Sequence, residues 1–224
     1  MMKWTLRRVW SILLQKTYPT VSLCLGLLSF AMLLVACTSL PTASRVDLIC
    51  FRTEPYFVVV ESSATRRVFA SPVFVQCFLS GFALGVSMVF SVLAIVFTRE
   101  QVRRKVFRAT CAPLLLAYVF SLLTETITLI CVEFLGTAIE LNPLYRLLPS
   151  RSLFYVYGAV FNGAFCLSLY SVMNGLTETA RTEEAEELLL KISEYAAKFF
   201  AGVVFLNLLN DISVLVVSLL NILM

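Results

Sequence analysis

Five apolar stretches, each near the length of a bilayer crossing, alternate with short polar segments along the chain. They cover residues 18–38, 72–98, 111–135, 153–176 and 199–223. About 20 consecutive apolar residues in a helix match a hydrocarbon core about 30 Å thick. In lipid each backbone N–H and C=O must be satisfied within its own segment, so each stretch is expected as a helix. The pattern predicts an all-α membrane protein, a polytopic bundle of about five transmembrane helices forming one integral membrane domain over residues 1–224.

The polar segments refine this picture. In the loop at about 40–71, "YFVVVES" and "RRVFA" are β-favouring runs separated by "SAT", which predicts a short β-hairpin on the outer side. The third loop, "TAIELNPLYRLLPSRS", ends the helix before it with Pro143 and Pro149. Ahead of the fifth stretch lies "RTEEAEELLLKISEYAAKFF", residues 181–200. Leu188, Ile192, Tyr195 and Phe199 recur there at helical spacing. Glu187–Lys191 and Glu194–Lys198 are Glu-before-Lys pairs four apart, the favourable order on a helix. With Thr182 or Thr179 as cap, an amphipathic cytosolic-side helix over about 182–198 is expected to run on into the fifth span. Within it "EAEELL" resembles an acidic dileucine sorting signal. Such signals are displayed in extended tails, so a structural or docking helix is the preferred reading.

Composition agrees with a membrane chain. Of 224 residues 59% are hydrophobic and 14% charged, against about 25% charged in soluble domains. The net charge of +4 is unevenly spread. Lys3, Arg7, Arg8 and Lys16 precede the first span, and Arg99, Arg103, Arg104, Lys105 and Arg108 crowd the second loop. Basic residues close to spans stay on the cytosolic side. The N-terminus is therefore expected in the cytosol or an equivalent matrix. This bias accounts for the charge, and no nucleic-acid partner is expected. "MMKWTLRRVWSILLQK", basic with Trp4 and Trp10 interleaved, suits an interfacial anchor. An endomembrane or plasma-membrane location is favoured, with the mitochondrial inner membrane as the alternative.

The chain has no histidine, which removes the usual general base and the commonest zinc ligand. No GxSxG elbow, P-loop or kinase motif occurs. None of the seven cysteines has a visible activating base. The expectation is a protein that is not an enzyme and has neither cofactor nor metal site. Cys37 and Cys50 fall on the outer side, where an oxidising compartment would join them in a disulfide.

The unusual residues lie inside the spans. Glu125 sits in "SLLTETITL", and Asp211 follows Asn207 and Asn210 in "NLLNDISVL". Counting along the helices brings Asn162 of the fourth span to a similar depth, so these five are expected to form one polar layer. A carboxylate at mid-membrane costs at least about 2.5–3.5 kcal/mol, and no Lys or Arg lies at that depth. Glycines Gly81, Gly85, Gly158 and Gly163 are expected to serve close packing within the bundle. On the cytosolic side, Arg103, Arg104 and Lys105 offer charge to Glu183, Glu184, Glu186 and Glu187.

These readings point to a non-enzymatic scaffold, assembly factor or accessory subunit of a membrane complex. Its expected partners are the lipid bilayer and other membrane protein subunits. The alternative is a small proton or cation transporter, or a channel subunit, using the intramembrane carboxylates.

Overall fold

A computed structural model of the chain describes residues 19–36, 72–135 and 151–223. Among these, five helices are long and apolar enough to cross a membrane. They are α1 (Pro19–Ala36), α2 (Pro72–Val96), α3 (Glu100–Leu129), α4 (Arg151–Glu178) and α5 (Glu183–Leu223). No strand occurs among the described residues; the hairpin expected at 40–71 and the Cys37–Cys50 pair fall outside them.

Two helices extend beyond the apolar stretches that announced them. α3 begins at Glu100 instead of 111, because its basic segment is built from strong helix formers and buries Val102 and Val106 on one face. A π-helical turn, Ile130–Phe134, continues its far end, with the Leu135 N–H donating to the Ile130 carbonyl at 2.9 Å. α5 joins the acidic segment and the fifth apolar stretch into one helix of 41 residues. Thr182 caps it: its Oγ1 accepts the Ala185 N–H at 3.2 Å. Glu183, Glu184 and Glu186 follow in the first turn, where the helix dipole favours negative charge. At 1.5 Å per residue such a helix is about 60 Å long, roughly twice the hydrocarbon thickness. Half of α5 therefore lies outside any bilayer that its second half crosses.

Neighbouring helices pair in the directions that successive crossings require. α1 runs antiparallel to α2, as Ser22 meets Thr98 and Ser80 meets Ala36. α3 runs antiparallel to α4, with Phe107 against Tyr170 at one end and Glu125 against Gly158 at the other. α3 and α5 lie parallel, joined by Lys105–Glu186 and Phe120–Phe205. α4 touches all four of the others and is the centre of the bundle.

Small residues set how closely the helices approach. A Cβ at Gly175 would lie 2.6 Å from the Leu23 Cα, and one at Gly26 would lie 3.1 Å from the Val172 Cα. α1 and α4 are thus in backbone contact, the geometry that lets helices associate in lipid by packing alone. Serines bind the same region. Ser29 is hydrogen-bonded to Ser91 at 2.6 Å, Ser87 at 3.2 Å and Ser168 at 3.0 Å, tying α1, α2 and α4 together in a fully buried cluster. Ser22 adds a bond to the Ala94 carbonyl at 2.9 Å.

The glycines picked from the sequence divide. Gly158 and Gly163 face α3, against Glu125 and the Tyr118 ring. Gly81 and Gly85 do not serve packing among the described residues, where a Cβ at either would meet nothing within 4 Å. Their spacing marks a narrow ridge on α2, but the ridge points away from the helices that α2 packs on.

This contrast predicts that Gly175→Leu lowers the unfolding midpoint of the detergent-purified protein, with a loss of about 1–3 kcal/mol or more from overpacking. Gly81→Leu should leave the midpoint unchanged. Equal effects of the two would contradict the packing described.

Candidate functional site

The intramembrane polar groups gather around α3, but on different sides of it. Glu125 projects toward α4, where a Cβ on Gly158 would lie 2.5 Å from Oε1 and 2.8 Å from Cδ. A larger residue at 158 would require that carboxyl to move. Tyr118, two turns back on the same face of α3, packs its ring against Gly163. In register Ser121 and Asn162 fall between these two contacts. Ser121 donates to the carbonyl of Tyr118 at 2.9 Å, and Asn162 is half-buried.

Thr124, the residue before Glu125, turns toward α5. Its Oγ1 is buried, has no hydrogen bond among the described residues, and stands beside Asp211. Asn207 Nδ2 donates to Asp211 Oδ2 at 3.5 Å, and Asn210 also flanks that carboxyl. Asp211 itself is half-buried, whereas Asn207 and Asn210 are exposed on the outer side of α5. The amides of this cluster therefore open away from the bundle, within the apolar half of α5.

At the other end of α3 the charges are sorted by helix face. Lys105 reaches Glu186 of α5 at 2.5 Å. Arg104 instead takes Glu100, one turn back on its own helix, at 2.5 Å. Arg103 and Arg108 carry no ion pair among the described residues, and Glu183 and Glu184 are exposed. The reason is angular. Residue 105 lies on the side of α3 that faces α5, while 100, 104 and 108 form a separate row one turn apart. On α5, Glu187 pairs with Lys191 at 2.8 Å and Glu194 with Lys198 at 2.5 Å. The Lys191 ammonium, hydrogen-bonded to Glu187, holds that carboxyl below the usual carboxylate range. Its contribution to the helix is present at neutral pH and fades as pH falls through the lowered value.

The acidic half of α5 buries its small side chains, Ser193, Ala197 and Ala201, against the bundle. Leu188, Ile192, Tyr195 and Phe199 are 59%, 51%, 69% and 76% exposed. The stripe is helical in spacing but faces outward, because close approach to α3 selects the small residues. The "EAEELL" segment lies within this helix, with its second leucine half-buried.

The strongest charged contact was not anticipated. Glu178, at the end of α4, has no exposed side-chain surface and bonds Arg99 twice. Its Oε1 accepts Arg99 Nε at 2.5 Å, and its Oε2 accepts the Arg99 backbone N–H at 3.0 Å. Arg99 is the N-cap of α3 and supplies no side-chain cap itself. Glu178 thus caps α3 from a neighbouring helix and places a carboxylate at its positive end. The sequence signal was present in the polar run Asn174, Thr177 and Glu178, which share one face at the end of an apolar stretch. Asn174 is likewise fully buried and donates to the Tyr170 carbonyl at 2.7 Å. Among the described residues no three His, Cys, Asp or Glu side chains are grouped so as to hold a metal ion. Cys24, Cys111 and Cys166 are free thiols. No family model, curated protein or solved structure matches the chain.

Removing the Glu178 carboxyl leaves the guanidinium and an α3 N–H without their acceptor, at a cost of about 1–3 kcal/mol. Glu178→Ala is therefore expected to lower the unfolding midpoint and speed amide exchange at Arg99. Glu178→Gln, which keeps an acceptor oxygen, should recover part of the protection. Unchanged exchange in the alanine variant would show that the cap contributes nothing.

Proposed function

We propose that the protein is a non-enzymatic accessory or assembly subunit of a membrane complex, and that α5 is the helix its partner binds. One observation carries the reading: Asn207, Asn210 and Asp211 open outward from α5 within its apolar half. Uncovered amides and a carboxyl in hydrocarbon are costly, and a partner helix is the usual means of satisfying them. Asn210 lies about three helical turns beyond Phe199, on the same face as Leu188, Ile192 and Tyr195. A single face of α5 thus combines an apolar stripe outside the bilayer with polar groups inside it. Lipid can cover neither part well. In this reading the basic end of the bundle faces the cytosol, following the bias of Lys and Arg.

Handling of protons or cations by Glu125 and Asp211 is the second reading. It is favoured by the close fit of the Glu125 carboxyl against Gly158. Flux into liposomes that changes with pH and fails in Glu125→Gln would support it; flat flux across ions and pH counts against it.

The subunit reading is tested by purifying the tagged full chain from its native membrane and identifying what accompanies it. Asn210→Leu or Asp211→Asn should each weaken association by about 0.6–1.7 kcal/mol, roughly three- to eighteenfold. Ile192→Ser with Tyr195→Ser should act in the same direction without altering the bundle. Retention of every partner by all of these variants would sink the proposal.

A further inference from the structure

The unpaired arginines line a recess. Between α3 and α4, at the end where the charges gather, Arg103, Arg104, Phe107, Arg108 and Tyr170 enclose an open space of about 240 Å³. Its floor is aromatic: Phe107 and Tyr170 meet edge to face with centroids 6.4 Å apart, and Tyr170 Oη donates to the Arg103 carbonyl at 3.3 Å. Three guanidiniums stand around this floor, and the acid within their reach is Glu100, which engages Arg104. Arg99 and Lys105 are committed elsewhere, to Glu178 and Glu186. The recess therefore holds a surplus of positive charge from Arg103 and Arg108 that no described side chain offsets.

Position narrows the ligand. The charged part of α3 ends at Arg108, and its apolar part begins at Cys111. The recess thus sits where the helix passes from the headgroup layer into hydrocarbon. On the same face of α3, Leu115 and Val119 follow Arg108 by about two and three turns and are exposed. A molecule with an anionic head and apolar tails meets guanidiniums and aromatic rings in the recess and aliphatic side chains beyond it. Arginine presents a planar fork of donors that matches phosphate oxygens, and basic recesses at this level suit anionic lipid heads.

We propose that this recess is a binding site for the phosphate of an anionic phospholipid, held between Arg103 and Arg108 with Arg104 at the rim. The site is independent of the partner face on α5. Its occupant bridges α3 and α4 at the headgroup layer and stabilises the bundle there.

The full chain, purified in detergent, is titrated with phosphatidic acid, phosphatidylcholine and inorganic phosphate, following the unfolding midpoint and bound lipid by native mass spectrometry. Phosphatidic acid should raise the midpoint with concentration, as expected for a ligand of the folded state. Phosphatidylcholine should raise it less. Arg108→Gln, at an exposed position that the fold does not need, should weaken phosphatidic acid by roughly tenfold or more. Arg103→Gln with Arg108→Gln should abolish the difference between the two lipids. Lys105→Gln, whose ammonium is turned to Glu186 of α5 and away from the recess, should keep it. A midpoint shift from inorganic phosphate alone, equal to that from phosphatidic acid, would overturn the lipid assignment in favour of a free anion. Equal binding of both lipids, or full binding by the arginine variants, would overturn the site itself.

Discussion

The absent side chain at position 175 sets the spacing of the bundle. Because nothing projects there, the backbone of α1 lies against α4, 2.6 Å from where a Cβ would stand. That approach brings Ser29 within reach of Ser168 and, from the other side, of Ser87 and Ser91. Small hydroxyls then satisfy one another across three helices. Hydrocarbon gives helices no hydrophobic reason to associate, so contact distance and hydrogen bonds must do the work. On α5 too the small Ser193, Ala197 and Ala201 face inward and the larger Leu188 and Phe199 face out. In a soluble bundle the large apolar side chains would be the buried ones. Here size, more than polarity, decides which face turns inward.

Much of the architecture was legible because hydropathy and length act locally. A run of twenty apolar residues has one economical conformation in lipid, and the five helices follow from that. Azimuth was much less legible. Gly81 and Gly85 carry the familiar spacing yet meet none of the described residues, whereas Gly26 and Gly175 are isolated in the sequence and reach their neighbours, Val172 and Leu23, only through the fold. Depth could be counted along a helix, but the neighbour that a side chain faces could not. Thus Glu125 and Thr124, adjacent in sequence, address α4 and α5 respectively. The arginines of the second loop differ for the same reason. Their charge is plain in the sequence, but the 100° step of the helix directs Lys105 to α5 and Arg104 back to Glu100.

Charge at the basic end divides into structural and uncommitted parts. Glu178 and Arg99 join the end of α4 to the start of α3, and burial of the carboxylate makes that junction dependent on both partners. Lys105–Glu186 is more exposed, and such pairs contribute little alone, about 0–1 kcal/mol. Its effect is to set which side of α5 faces α3. What remains, the guanidiniums of Arg103 and Arg108, carries no ion pair among the described residues.

The continuity of α5 has a mechanical meaning. Its 41 residues form one hydrogen-bonded helix, with no proline and no loop between the acidic turns and Asp211. A helix of that kind is stiff about its own axis, so a turn imposed on Tyr195 outside the bilayer is carried to Asn210 within it. The exposed Gly202, where an added Cβ would meet none of the described residues, lies between them and is the softest point on the shaft. α5 thus has the form of a single shaft that joins its acidic first turns to the half-buried Asp211.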